Sequence, residues 1–182
     1  MGQSGRVYDE LLVLQVQAGD RRALDRLAAR GQPRLLRSAR RFTGQEDLAL
    51  EAVQECWIGI VGGIRRLRDP VTFPAWAFAI LRRRCAERVR GLMAARSLWA
   101  SLDEGGEPSV SPRGEDRVTI ARAFDRLPEE QRVAATLFFV EQLKLDEIAA
   151  ATGAPLGTVK SRIFAARKSL KTFLNGGNDD QV

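Results

Sequence analysis

The spacing of apolar residues limits the fold of this chain more than any other feature. In successive stretches these residues recur at gaps of three and four, which is the spacing of a helix that buries one face. The last such stretch carries them at positions 156, 159, 163, 166 and 170. The sequence has no strand-type alternation of useful length and no visible internal repeat. We therefore expect an all-α fold.

Glycine, proline and capping residues predict where the helices end. Gly19 ends the first helix, Asp20 offers the next N-cap, and Gly44 closes the second helix. The helices predicted in this way cover residues 9–17, 21–42 with a bend or break near Gly31 and Pro33, 46–64, 74–96, 118–127, 128–141 and 144–152, followed by a last helix from Pro155 or Leu156.

One segment breaks the helical pattern. Residues 97–116 are rich in glycine, proline, serine and acidic residues and have little apolar surface to bury, which is typical of a linker. Its acidic side chains suit either a solvated tether or a mimic of nucleic acid. The predicted organisation is a helical domain over residues 1–96, a flexible linker over 97–116, a second small helical domain over 117–175 and a disordered tail over 176–182.

The charge balance indicates the kind of partner. Lys and Arg number 29 against 23 for Asp and Glu, so the net charge is +6. This excess favours a polyanionic partner, although a basic surface without such a partner would have the same composition.

Residues that carry enzyme chemistry are scarce. The chain has no histidine, and its two cysteines, Cys56 and Cys85, lie apart in apolar helical patterns. The usual zinc spacings and the Ser-His and Cys-His catalytic sets cannot be assembled from them. We therefore expect no enzyme activity, no metal site, no cofactor and two buried thiols. Because signal-peptide and bilayer-spanning segments are not visible, we also expect a soluble, cytoplasmic chain without membrane insertion.

The stretch "LDEIAAATGAPLGTVKSRI" has the spacing of a helix-turn-helix. Gly153 stands where the turn needs a positive φ, and Ile148 and Ala149 can pack on residues of the following helix. In such modules the second helix enters the major groove of DNA. Thr158, Ser161 and Arg162 are placed to reach base edges, whereas Lys160 and Arg167 suit phosphates. The alternative is an ordinary amphipathic helix with a solvated basic face.

Two earlier segments have a further pattern of interest. "FPAWAFAILRRRCAERVRG" places aromatic residues beside arginines, which suits single-stranded nucleic acid, although Trp76 and Ile80 have the spacing of core residues. "LALEAVQECWIGIVGGI" keeps Glu51, Gln54 and Glu55 in an apolar helix, which fits either a partner surface or a plain helical core.

The order of these segments resembles the extracytoplasmic-function (ECF) sigma factors of bacteria, which have the conserved sigma regions 2 and 4 joined by a linker. "VQECW" with "FPAWAFAILRRRCAERVR" resembles region 2, and the segment from "LPEEQ" to "KTFL" resembles region 4. The resemblance covers residues 10–96 and 117–174. Its most specific part is "GAPLGTVKSR" followed by "ARKSL".

The resemblance implies a role for each matching segment. It assigns docking on the β′ clamp coiled coil of core RNA polymerase to Glu51, Gln54, Glu55 and Trp57. It assigns reading and melting of the minus 10 promoter element to the loop 68–73 and the helix 75–90, with Trp76, Arg82, Arg83, Glu87 and Arg88 as site residues. It assigns reading of the minus 35 element to Thr158, Lys160, Ser161, Arg162 and Arg167. Region 4 would also bind the β flap, the linker would enter the RNA exit path, and an anti-sigma factor is a further partner that the resemblance allows.

The chain departs from the usual family pattern at several positions. Glu51-Ala52 stands where Asp-Leu is usual, and Pro74, Arg83 and Glu87 replace a frequent Arg, Asn and Asp. These changes bear on which minus 10 sequence is read. Lys144 replaces a frequent capping Ser and Ala151-Thr152 replace bulkier apolar residues, which predicts a weaker first helix in the helix-turn-helix.

The residues and the resemblance together predict a sigma factor. Such a protein binds core RNA polymerase, directs promoter-specific transcription initiation at minus 35 and minus 10 elements, and assists promoter melting. The first alternative is a stand-alone helix-turn-helix regulator, which would bind a duplex operator tightly without polymerase. The second is an all-helical adaptor, which would show no salt-dependent DNA binding.

Overall fold

The computed structural model describes residues 3–100 and 117–176, and every regular element in these two ranges is a helix. The α-helices are α1 (Gln3–Gln17), α2 (Arg21–Thr43), α3 (Glu46–Gly63), α4 (Phe73–Ala100), α5 (Arg117–Asp125), α6 (Glu129–Ala135), α7 (Leu145–Thr152) and α8 (Leu156–Gly176). Short 3-10 turns at Ile64–Arg66 and Pro70–Thr72 join α3 to α4, and a π-helical turn at Thr136–Val140 extends α6. The all-α fold is confirmed. Most of the expected linker and all but the first residue of the expected tail lie outside the described residues.

The local signals in the sequence place several helix ends correctly. The Asp20 carboxylate accepts hydrogen bonds from the backbone N–H groups of Arg22 at 2.8 Å and Ala23 at 3.2 Å, which caps α2. Gly44 adopts φ +69° and its N–H donates to the Arg40 carbonyl at the other end of α2. Both predicted caps are confirmed.

Other helix limits differ from the expectation. The predicted break in α2 near Pro33 is absent, because Leu27, Leu35 and Ala39 are buried on both sides of the proline and hold the helix on the core. The proline then costs one backbone hydrogen bond without ending the helix. α1 begins at Gln3 rather than at residue 9, and α4 continues to Ala100 rather than ending at residue 96.

We call residues 3–100 the first block and residues 117–176 the second block. In the first block α2, α3 and α4 all pack on one another, and α1 packs on α2. Val53, Cys56 and Ile60 of α3 are fully or almost fully buried in this arrangement. Close helix packing needs a small residue at Gly63, where a Cβ atom would lie 2.8 Å from the Trp76 ring.

The two blocks pack against each other. α7 contacts α4 and α6 contacts α2, and the buried apolar residues of both blocks form one continuous cluster that includes Leu81 and Ile148. Hydrogen bonds and ion pairs also cross between the blocks, among them Arg34–Glu141 at 3.0 Å and Arg6–Glu147 at 2.7 Å. This arrangement could not be predicted from the sequence, because the same pattern of apolar residues is equally suited to two separate domains joined by a linker.

Candidate nucleic-acid interface

α7 and α8 form a helix-turn-helix. Gly153 at φ +67° ends α7, and its N–H donates to the Ala149 carbonyl at 2.8 Å. Ile148 of α7 and Val159 and Ile163 of α8 are buried in the same apolar cluster, which fixes the two helices against each other. The predicted turn glycine and the predicted packing are therefore confirmed.

The N-terminus of α7 is capped by an unusual pair. Lys144 has no side-chain acceptor to offer, but the Glu147 carboxylate accepts from the Lys144 backbone N–H at 2.6 Å. The same carboxylate also pairs with Arg6 of the first block. Whether α7 is weaker than usual stays a prediction.

The outward face of α8 is basic with an aromatic centre. Lys160, Ser161 and Arg167 of the predicted minus 35 set are exposed, and Thr158 is half-buried at the start of the helix. Phe164 lies on the same face and is 73% exposed, although its side chain is large and apolar. The sequence analysis left Phe164 out of the site, and its spacing of four from both Lys160 and Lys168 is the signal that places it on this face.

Arg162 faces a different direction from the one expected. Its side chain turns toward α6 and forms an ion pair with Glu130, so it is only 25% exposed. α8 packs against α6, and Arg162 lies on the side of α8 from which its side chain reaches Glu130. Arg162 can reach outward DNA only if the pair with Glu130 opens.

α4 carries the predicted minus 10 residues, and their side chains lie in different environments. Trp76 packs partly buried against the core beside Phe73, with ring centroids 6.2 Å apart. Arg82 donates from its Nε to the carbonyl of Ala151 in α7 at 3.3 Å. Arg83 is exposed and pairs with Glu87 at 2.9 Å.

A charge cluster joins α3 to α4. Arg88 of α4 pairs with Glu55 and, at 3.1 Å, with Glu51, and Arg84 pairs with Glu87 at 2.8 Å. Hydrogen bonds from Arg83 and Arg84 lower the pKa of Glu87, and the hydrogen bond to Glu55 raises the pKa of Arg88. Two residues of the predicted polymerase-docking set thus contact a residue of the predicted minus 10 set.

The exposed face of α3 is partly apolar. Glu51 and Gln54 are exposed as expected, and Ile58 and Val61 continue the same face at 72% and 51% exposure. α3 has apolar residues on more than one side, and Val61 lies outside the core although its neighbour Ile60 is fully buried. Trp57 lies apart from this face, because it packs toward α2 and its Nε1 donates to Gln32 at 2.6 Å.

The loop before α4 borders a cavity of about 450 Å³ at the junction of the two blocks. Pro70, Val71 and Phe73 line it from the loop side, and Lys144 and Glu147 line it from the second block. The predicted minus 10 loop therefore faces the helix-turn-helix in this structure.

Both cysteines are buried thiols. Burial raises the pKa of Cys56 to about 12 and that of Cys85 to about 12. They pack in the core of the first block, as expected from their apolar surroundings.

None of the helices in residues 3–100 and 117–176 combines the length and the apolar character needed to span a bilayer.

A helix-turn-helix with a basic outward face, joined to a second arginine-rich helix, is the architecture of a DNA-binding protein. Comparison with known proteins gives the family. The model of "Sigma-70, region 4" matches residues 117–170, and that of "Sigma-70 region 2" matches residues 27–94. The chain belongs to the sigma-70 family and, within it, to the ECF sigma factors.

Relatives and solved structures agree with this assignment. The RNA polymerase sigma-H factor of Pseudomonas aeruginosa is 30% identical over 180 residues, which cover 91% of this chain and 93% of that protein. The ECF RNA polymerase sigma-E factor of Escherichia coli K12 is 30% identical over 181 residues, covering 92% and 94%. The structure of CnrH in complex with the cytosolic domain of CnrY matches with a TM-score of 0.69 and 26% identity, over 93% of this chain and 98% of that one. The sigma factor RpoE of Bartonella quintana, in complex with the anti-sigma factor NepR, has the same fold at 22% identity, with a TM-score of 0.70 over 84% and 96% of the two chains.

Proposed function

We propose that this protein binds core RNA polymerase in the cytoplasm and directs it to promoters that carry specific minus 35 and minus 10 elements. The observation that supports this function most is the presence, on one chain, of matches to both sigma region 2 and sigma region 4. A stand-alone regulator would need only the helix-turn-helix, so that function would not explain the presence of the first block. The protein acts by binding and carries out no bond chemistry of its own.

The minus 35 element is read by α8. Its N-terminal turn enters the major groove, where Thr158, Ser161 and Arg162 contact base edges and Lys160 and Arg167 contact phosphates. Phe164 joins this set, since an exposed aromatic ring on the DNA-facing side suits contact with a thymine methyl group.

The minus 10 element is read by α4 and the loop before it. Arg82, Arg83 and Arg88 supply positive charge along one helix, and the apolar loop residues beside the cavity suit an unstacked base. Trp76 supports the loop from the core side, and Glu87 holds Arg83 and Arg84 in place. Capture of a base outside the stack stabilises the melted promoter.

Core polymerase docks on the exposed face of α3. Glu51, Gln54 and Glu55 supply polar contacts to the β′ clamp coiled coil, and Ile58 and Val61 give this surface the apolar centre that protein interfaces usually have. Trp57 contributes indirectly, because its hydrogen bond to Gln32 holds α3 on α2. The second block binds the β flap, and the part of the expected linker that follows α4, residues 101–116, enters the RNA exit path.

Anti-sigma proteins are a further partner class. The titles of two similar solved structures name complexes with CnrY and with the anti-sigma factor NepR. We infer that this chain is also held inactive by a protein partner of that kind.

Transcription from purified components tests the proposed function. Core polymerase with this protein should start transcripts at a set of promoters that core polymerase alone ignores. The variant Gln54→Ala/Glu55→Ala should lose this activity together with co-elution with core polymerase on gel filtration, whereas Asp47→Ala, which removes a charge at the start of the same helix, should retain both. Tight operator binding without polymerase, with no effect on transcription, would favour the stand-alone regulator.

A further inference from the structure

The turn that follows α3 carries two exposed arginines. Arg65 and Arg66 lie in the 3-10 turn Ile64–Arg66, and Leu67 comes directly after it. Ile64 is only 1% exposed, so the turn is attached to the core while its arginines lie on the surface. We call residues 64–67 the arginine turn.

The arginines of this turn differ from those of α4 in their partners. On α4, Arg83, Arg84 and Arg88 each pair with a carboxylate. In the part of the chain that the structure describes, neither arginine of the turn forms an ion pair. A phosphate group would have to displace a carboxylate on α4, whereas at the arginine turn it would not.

A second element adds positive charge beside the turn. Arg65 and Arg21, the first residue of α2, line the same cavity of about 230 Å³. Asp20 also lines this cavity, but its carboxylate accepts hydrogen bonds from the backbone at the start of α2 and lies 3.5 Å from Arg26. The positive charge next to the turn is therefore only partly balanced.

Gln17, the last residue of α1, holds the arginine turn. Its side-chain Nε2 donates to the carbonyl oxygens of Ile64 at 2.9 Å and of Leu67 at 2.7 Å. The Leu67 N–H donates to the Ile64 carbonyl at 3.2 Å and closes the turn. Carbonyl groups at the end of a helical segment lack helical partners, so one amide group of α1 satisfies both ends of the turn.

The arginine turn leads directly into the loop 68–73. Asp69 continues the ordered backbone there, since its carboxylate accepts from the Val71 N–H at 3.0 Å and its carbonyl accepts from the Thr72 hydroxyl at 2.6 Å. Because turn and loop are consecutive and both are held by hydrogen bonds, a DNA strand that contacts the loop lies within reach of the arginines.

We propose that the arginine turn binds backbone phosphates of the DNA strand that carries the minus 10 element, and that Gln17 is the positioning residue that holds this site. The inference rests on the proposed function, in which the loop 68–73 reads that element. Phosphate contacts fix the position of a protein on DNA but carry no sequence information. The arginine turn therefore sets the affinity and placement of the strand, and the loop sets the choice of base.

Holoenzyme binding to a single-stranded oligonucleotide tests the phosphate site. The oligonucleotide carries the minus 10 element of a promoter at which the holoenzyme starts transcription, and fluorescence anisotropy gives the association constant at several salt concentrations. For single strands, each phosphate contact contributes about −0.7 to the slope of log association constant against log salt concentration. Arg65→Gln/Arg66→Gln should therefore make this slope less steep by about 1.4, and equally so for altered minus 10 sequences.

Arg37→Gln/Lys171→Gln is the matched control, because it removes two exposed positive charges from other helices, α2 and α8. It should leave the slope unchanged. An unchanged slope in Arg65→Gln/Arg66→Gln would overturn the phosphate site, as would an equal change in the control. If holoenzyme with the unaltered protein does not bind the oligonucleotide, the proposed function is wrong, and hydrogen exchange of the free protein separately tests the hold of Gln17 on the turn.

Gln17→Met tests the positioning role, since it keeps the length of the side chain and removes the amide group. In the free protein the Leu67 amide should exchange with solvent about tenfold faster, and in the holoenzyme the salt slope should become less steep. Gln15→Met is the control on the same helix, because the Gln15 side chain accepts from Arg26 at 3.2 Å, and it should change neither measurement. Faster exchange with an unchanged slope would make Gln17 a structural residue only, and unchanged exchange would mean that it does not hold the turn.

Discussion

Arg162 has a partner in the free protein that DNA would have to displace. Its ion pair with Glu130 of α6 draws the guanidinium away from the outward face of α8. An arginine that binds a guanine edge with two hydrogen bonds contributes about 1–3 kcal/mol of discrimination, which exceeds the value of an exposed ion pair. If Arg162 reads a guanine as proposed, exchange of Glu130 for that base is therefore favourable.

This exchange predicts opposite effects for two substitutions. Arg162→Ala should weaken promoter-selective transcription by about 1–3 kcal/mol, or about 5- to 150-fold, whereas Glu130→Gln should strengthen it because Arg162 is released. The measurement is open-complex formation by reconstituted holoenzyme on promoters that differ at single minus 35 positions. Glu129→Gln removes the same charge one residue away and is the control. Equal gains from the changes at 129 and 130 would mean that overall charge, not release of Arg162, is responsible.

The two thiols allow a test of burial. With a pKa of about 12 in the fold, only about one molecule in ten thousand carries a thiolate at Cys56 or Cys85 at pH 8. Both should resist a disulfide reagent in the native protein and react quickly in denaturant. The raised pKa values favour folding below the unfolded thiol pKa of about 8.5, and this contribution is lost as the pH rises from there toward about 12. Rapid native labelling at pH 8 would contradict the packing of α3 on α4.

At this scale the sequence predicted the residues whose role depends on their near neighbours. Cap and turn roles could be predicted because they depend on residues only a few positions away in the chain, as they do for Asp20, Gly44 and Gly153. The partner of Arg162 lies on another helix, and its choice depends on tertiary packing. Phe164 was missed because the sequence alone does not distinguish an exposed aromatic residue from a core residue. The distinction requires knowing which face of the helix is buried.

Among the elements, α7 and α8 depend on one backbone conformation. Gly153 adopts φ +67° with open space where a Cβ would stand, so a side chain there meets only a conformational cost. Gly153→Ala should lower stability by about 1–2 kcal/mol and the unfolding midpoint by about 2–8 °C. Gly157 also faces open space but lies in the first turn of α8, where alanine is the better helix former.

Gly157→Ala is thus the control for Gly153→Ala, and it should raise stability by about 0.5–1 kcal/mol. Thermal unfolding followed by circular dichroism measures both changes on one scale. If the two alanines shifted the midpoint in the same direction, the turn at Gly153 would not have the left-handed geometry described above.

The type and order of the helices could be predicted because the periodicity of their apolar residues is strong. The residues at which the helices begin and end were harder to predict. α2 continues through Pro33 because buried residues on both sides hold the helix on the core. Helix propensity alone does not include this tertiary packing. On α3, periodicity suggested several possible buried faces, and only packing between α2 and α4 selects Val53 and Ile60 while leaving Val61 outside.

For the whole molecule, the arrangement of the two blocks could not be predicted from the pattern of residues in the sequence. Each block has its own apolar stripes, and nothing in the order of residues tells whether the stripes of one block meet those of the other. Leu81 and Ile148 lie in one cluster through contacts between residues far apart in the chain. The departure at Ala151, noted as a loss of bulk, is also where α7 approaches Arg82.

A shared core predicts cooperative unfolding. Because the apolar cluster runs through both blocks, calorimetry of the free chain should show one transition whose calorimetric and van't Hoff enthalpies agree. Glu141→Gln removes the charge that pairs with Arg34 across the two blocks, so the single transition should broaden or divide into two. Glu46→Gln is the control, because it removes the partner of Arg40 within the first block and should keep a single transition. Two transitions in the unaltered protein would mean that the blocks unfold independently and that the apolar cluster shared by Leu81 and Ile148 does not couple them.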